Sequence, residues 1–134
     1  MNKVRRLQKT LEAIVRDDSR YAIGAYIFVR MGLDFTIKRL EAQDKNRKSR
    51  NVSAQELLEG IRIFALESFG QMAMCLFESW GVRSCSDFGN IVFNLVDAQI
   101  LSTSEGDKIE DFYGGYDFKE AFVLPFRPKK KKAY

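Results

Sequence analysis

Residues 20–40 read RYAIGAYIFVRMGLDFTIKRL, and this run decides the fold. At helical spacing Ala22, Tyr26, Val29, Leu33, Ile37 and Leu40 share one face, while Ile23, Phe28, Met31 and Phe35 crowd the rest. A helix that is apolar nearly all round has to be sandwiched between neighbours. The pattern therefore predicts a central helix over about Arg20–Leu40 with the rest of the chain packed around it. Gly24 and Gly32, two turns apart, would let another backbone come close at some cost in helix propensity.

Before it, Val4, Leu7, Leu11, Ile14 and Val15 make an apolar stripe, with Arg5, Arg6, Lys9 and Arg16 opposite. This is an amphipathic cationic helix over Lys3–Asp17, and Asp17-Asp18-Ser19 supplies a stop and then a cap. After it, residues 41–52 (EAQDKNRKSRNV) read as an exposed basic loop. Ser53 and Glu56 form a capping box for a third helix bearing Leu57, Leu58, Ile61, Phe64, Ala65 and Phe69, which ends at Gly70. A fourth helix, Gln71–Trp80, stops at Gly81, a natural left-handed residue. A fifth begins near Ser86, with Phe88, Ile91, Val92 and Leu95 as its inner face.

The pattern then changes. Ile100–Ser104, a turn at Glu105-Gly106-Asp107, and Ile109–Tyr113 read as a β-hairpin, and Gly114-Gly115 forces another reversal. Pro125 and Pro128 prevent further helix. The expected fold class is mainly α with a small C-terminal β-hairpin (α+β), about five helices, in one domain over residues 1–127 with a basic tail over 128–134. From the third helix onward the order matches a winged helix-turn-helix, in which the fifth helix would enter the major groove.

The composition suits a globular domain: 134 residues, 46% hydrophobic, 30% charged. There is no histidine, which removes imidazole bases, Ser-His and Cys-His pairs and His-ligated metal sites. Two cysteines cannot make a disulfide framework or a four-thiolate zinc site. Cys75, inside the apolar run Met72–Phe77, reads as a core thiol, and Cys85 as a turn residue. No signal core is evident, and no stretch approaches the roughly 18 apolar residues of a membrane span. The richest, Tyr21–Leu33, is broken by Gly24, Arg30 and Gly32. A cytoplasmic protein is the expectation, without a membrane partner.

The formal charge of +4 hides a polarity. Residues 1–16 and 38–50 each carry a net +4, the tail another +4, and residues 53–127 a net −7. Three basic patches could meet phosphate: Arg5, Arg6 and Lys9; Lys45, Arg47, Lys48 and Arg50; and Arg127 with Lys129, Lys130, Lys131 and Lys132. The bland alternative is that they only aid solubility. On the fifth helix the outward stripe Asp87, Asn90, Asn94 and Asp97, with Phe93 beside it, offers two carboxylates and no base. Phosphate would repel it, so Asn90, Phe93, Asn94 and Asp97 read as a protein-binding face rather than a base reader. Phe112-Tyr113-Gly-Gly-Tyr116 is either a tight reversal packed on the core or an exposed aromatic anchor. The acids Glu105, Asp107, Glu110 and Asp111 lack an EF-hand spacing and read as solvated. Asp111 and Asp117 would serve as an acid pair only if one cleft held both. No cofactor or metal site is read.

Six runs carry a family resemblance: RYAIGAYIFV (Arg20–Val29), VSAQELLEGIR (Val52–Arg62), ESFG (Glu67–Gly70), WGV (Trp80–Val82), DFGNIVFNLV (Asp87–Val96) and EDFYGGYDFKEAF (Glu110–Phe122). In this order they resemble the conserved hypothetical proteins of the bacterial groups Planctomycetes and Verrucomicrobia, over about residues 10–126. The resemblance implies an identity and no activity. It also implies a histidine at the position where this chain has Asn51, so an imidazole mechanism shared by that family would not operate here. The expected function is a non-enzymatic cytoplasmic binding module or adaptor. It would engage protein through its acidic body and RNA or DNA non-specifically through its basic patches. A winged-helix regulator and a carboxylate enzyme are the alternatives.

Overall fold

The structure is a computed structural model that describes residues 3–47, 51–103 and 106–127. Six α-helices follow one another: α1 Lys3–Asp17, α2 Ile23–Gln43, α3 Ala54–Phe69, α4 Ala73–Ser79, α5 Cys85–Asp97 and α6 Phe118–Phe122. Single 3-10 turns occupy Gly70–Met72, Ile109–Phe112 and Leu124–Phe126. As its all-round pattern requires, α2 is the centre, lying along α3 and meeting α5 and α1. It starts at Ile23 rather than Arg20, because Asp18 is held by Arg20 and Ala22 is tied to the Trp80 carbonyl at 3.1 Å. It also continues to Gln43, so the exposed loop begins three residues later than residue 41.

α2 packs most extensively against α3, and small residues line their crossing. A Cβ at Gly60 would fall inside the Thr36 side chain, whose hydroxyl donates to the Gly32 carbonyl at 2.7 Å. A Cβ at Gly32 would sit 3.2 Å from Ile61. Beneath this crossing Phe77 has no exposure, and the rings of Phe28, Phe88, Phe118, Phe122 and Trp80 lie 5.1–6.0 Å from it. Such edge and tilted contacts add to the area they bury. The Ser53–Glu56 capping box forms in both directions at 3.0 Å, and Gly81 follows α4 at φ +86°.

The C-terminal hairpin is absent: among the described residues no strand forms, and with it goes the wing of the winged-helix reading. Where the second strand was expected, Ile109–Phe112 coils into a 3-10 turn capped by Asp111, which accepts from the Lys108 amide at 3.2 Å. A strand would send Ile109 and Phe112 to opposite faces. The turn brings i and i+3 to one side and drives Phe112, 4% exposed, against α5 at Gly89. A Cβ at Gly89 would lie 2.8 Å from that of Phe112.

The two thiols exchange the places the sequence suggests. Cys85 is buried at the start of α5, where desolvation pushes its thiol up, while Cys75 is exposed. On the short α4, Ala73 and Phe77 take the inner face, which turns position 75 outward. One apolar stretch is also longer than the sequence reading allowed. Ala54–Ser79 reaches the length and hydropathy of a membrane span by composition alone. It bends at Gly70, and its Leu57, Leu58, Ile61, Ala65, Ala73 and Phe77 line the core.

Candidate functional site

The outward stripe of α5 is not a free face. The Tyr21 hydroxyl donates to Asp87 and accepts from Asn90 at 2.8 Å. One turn further on, Asn94 donates to Tyr26 and to Asp18, both at 3.0 Å. Asp18 in turn pairs with Arg20 at 2.7 Å, and Asp87 caps its own helix through the Arg83 and Ser84 amides. Asp87, Asn90 and Asn94, spaced i, i+3 and i+7, thus form a polar seam against the corner between α1 and α2. The Arg20 guanidinium and the Asn94 amide hold the Asp18 carboxyl well below the usual range against some desolvation. Burial, reinforced by Asp87, pushes the Tyr21 phenol up to about 12. Asn90 and Asn94 are therefore committed inside the fold. Asp97 is exposed at the end of α5, beside a shallow recess shared with Asp17 and Asp18.

The aromatic turn divides. Phe112 is core, and Tyr116 donates to the Leu58 carbonyl at 2.9 Å, with burial raising its phenol. Tyr113 stands 54% exposed. Asp111 and Asp117 each cap a turn, Asp117 accepting from the Glu120 amide at 3.1 Å, and the cleft that Asp111 lines does not include Asp117.

Of the basic residues, Arg5, Arg6 and Lys9 lie exposed along α1, Lys45 just beyond α2, and Arg127 at the end of the described chain. Arg47 is half-buried instead. It pairs with Glu56 at 3.2 Å and donates to the Asn51 carbonyl at 2.7 Å, stapling the loop to the head of α3. The Ser53 amide and this guanidinium keep the Glu56 carboxyl below its ordinary value. Lys48, Arg50, Lys129, Lys130, Lys131 and Lys132 lie outside the described residues.

Two concave features carry more chemistry than these surfaces. The first is an apolar groove of about 290 Å³ between α2 and α3, closed at one end by Trp80. Phe28, Phe64 and Phe69 wall it, and Ile27 and Met31 rise from its edge, 41% and 54% exposed. Gly24 makes room for the indole: a Cβ there would meet Trp80 Nε1 at 2.6 Å. Sequence reading assigned Met31 to the core, because an all-round apolar helix gives no sign of which edge its neighbours leave open.

The second is a cleft of about 320 Å³ between α2, α3, α5 and the segment after α5. Leu33, Ile37, Leu57, Val92, Phe93 and Phe112 are its apolar lining. Its lip carries Ser53, Ser102, Thr103, Asp107, Lys108 and Asp111. Phe93 and Phe112, both read from sequence as partner contacts, meet here. Among the described residues no cluster of acidic or cysteine side chains is arranged to hold a metal ion. Compared with family models, with curated proteins and with solved structures, the chain matches none.

Proposed function

We propose that this protein is a non-enzymatic binding module of the cytoplasm that receives an apolar helical segment of a protein partner in the groove between α2 and α3. The observation that carries this reading is the pair Ile27 and Met31, large apolar side chains left open to solvent over an aromatic trough. Exposed apolar surface of this kind costs free energy unless a partner covers it. From Gly24 to Met31 the groove follows eight residues of α2, seven rises or about 10 Å at 1.5 Å each. That is two helical turns, the reach over which a docked amphipathic helix presents its i, i+3, i+4 and i+7 side chains. The unbranched thioether of Met31 adapts to more than one such shape.

The test is position-specific crosslinking. A photoreactive residue at 27 or 31 is expected to capture a partner that the same residue at exposed Lys119 of α6, which does not line the groove, does not. Met31→Asp should abolish capture from 27 while leaving the thermal midpoint unchanged. Equal capture from positions 27, 31 and 119 would overturn the reading.

A second reading has its own observation. The first two turns of α1 hold Lys3, Arg5, Arg6 and Lys9, all exposed, and no carboxylate. We propose that this face contacts RNA or DNA phosphates without sequence preference.

A further inference from the structure

The cleft beneath Lys108 and Asp111 plays no part in either reading, and its lining is specific enough to name a ligand class. About 320 Å³ lies at the small end of ligand-binding cavities, enough for one apolar side chain with a compact head. Leu33, Ile37, Leu57, Val92 and Phe93 come from three helices, so the apolar floor is fixed by the same packing that holds the core. The lip is unlike the floor. Lys108 and Asp111, one helical turn apart, bring opposite charges to the same edge. The Lys108 ammonium makes no ion pair among the described residues, and Asp111 uses Oδ2 for the Lys108 amide, leaving Oδ1 free to accept.

A purely anionic head would face the Asp111 carboxylate, and a purely cationic one the Lys108 ammonium. An uncharged polar head could bond to both, but without the strength that a charge on each side gives. A head carrying one charge of each sign, joined to an apolar body, answers Lys108 and Asp111 together, while Asp107, the second carboxylate of the lip, already has an interaction of its own. We propose that this cleft binds a free α-amino acid with a large apolar side chain, its ammonium on Asp111 and its carboxylate on Lys108. The hydroxyls of Ser53, Ser102 and Thr103 complete the ring around the head. A peptide end brings only one of the two charges, so the free amino acid is favoured over a chain terminus.

The test is calorimetric titration of the full chain with L-phenylalanine and L-leucine, against phenethylamine, 3-phenylpropionate and L-serine as controls. For ligands of about 9–12 heavy atoms, dissociation constants of roughly 0.05–2 mM are expected. The two single-charge analogues and serine should bind about tenfold more weakly or worse, since each loses a charge-assisted contact or the apolar body. Lys108→Met should remove the preference for phenylalanine over phenethylamine, and Asp111→Asn, which keeps an acceptor for the cap, the preference over 3-phenylpropionate. No heat from phenylalanine or leucine at about 10 mM, or equal binding of phenylalanine and its single-charge analogues, would overturn the proposal.

Discussion

Replacing Asn94 by alanine separates two uses of the same residue. As a base reader or partner contact, Asn94 would be lost without harm to the fold. As a member of the seam, it supplies the hydrogen bond of the Tyr26 hydroxyl at 3.0 Å, and Tyr26 has no exposure at all. Its removal leaves that buried hydroxyl with no side-chain partner, a cost of about 1–3 kcal/mol. Asp18 also loses a donor, although Arg20 still holds it. A destabilisation of about 2 kcal/mol follows, which for a domain of this size lowers the thermal midpoint by roughly 6–10 °C. Tyr26→Phe removes the orphaned hydroxyl, so the double variant should be less unstable than the two single costs add up to, by about 1 kcal/mol or more. Urea denaturation at pH 7 of the four proteins closes the cycle. A loss under about 0.5 kcal/mol for Asn94→Ala, or strict additivity in the double variant, would refute the seam as a structural device.

Two further outcomes follow from charge. The Tyr21 phenol is pushed above its ordinary value of 10 to about 12 in the folded chain. Its contribution is therefore complete below pH 10 and fades as pH rises through 12, a loss of roughly 2–3 kcal/mol that Tyr21→Phe should remove from the alkaline limb of a stability profile; unchanged alkaline limbs would count against it. For the α1 face, the double charge reversal Arg6→Glu/Lys9→Glu should make the salt dependence of RNA binding shallower, cutting the slope of log affinity against log salt by about 1.4–1.8; no binding by the intact chain at low salt would end that reading.

The helices were legible because each announces itself locally. The α1 bounds, the Ser53–Glu56 box and the inner face of α5 depend on periodicity and short-range caps. The segment 100–113 was not legible, because its fate is decided at long range. Ile109, Phe112 and their neighbours suit a strand in isolation, but Gly89 opens a slot on α5 that only a tight turn can fill with Phe112. The groove was hidden for a related reason. Sequence shows that Ile27, Met31 and Trp80 are apolar, and only packing shows that α1, α3 and α5 leave that edge of α2 uncovered. The seam was half visible: Asp87, Asn90 and Asn94 fall on one stripe, while the tyrosines that claim them lie more than sixty positions away.

Arg47 shows how folding redraws a charge pattern that the sequence presents as segregated. Counted along the chain, it belongs to a basic loop. In the fold it neutralises Glu56, satisfies the Asn51 carbonyl and secures the head of α3. A side chain with that many fixed contacts is a poor ligand for a mobile phosphate, because binding would break bonds already made before it formed new ones. Arg20 with Asp18, Lys38 with Asp34 and Arg62 with Glu59 are paired in the same way. Among the described residues, Lys3, Arg6 and Lys9 at the start of α1 and Lys45 beyond α2 stay exposed and outside these ion pairs. A polyanion docking on α1 should therefore make fewer contacts, and show a weaker salt dependence, than a count of lysines and arginines suggests. The groove, apolar along its walls, should keep its affinity when salt rises, which makes ionic strength the variable that tells it from the α1 face.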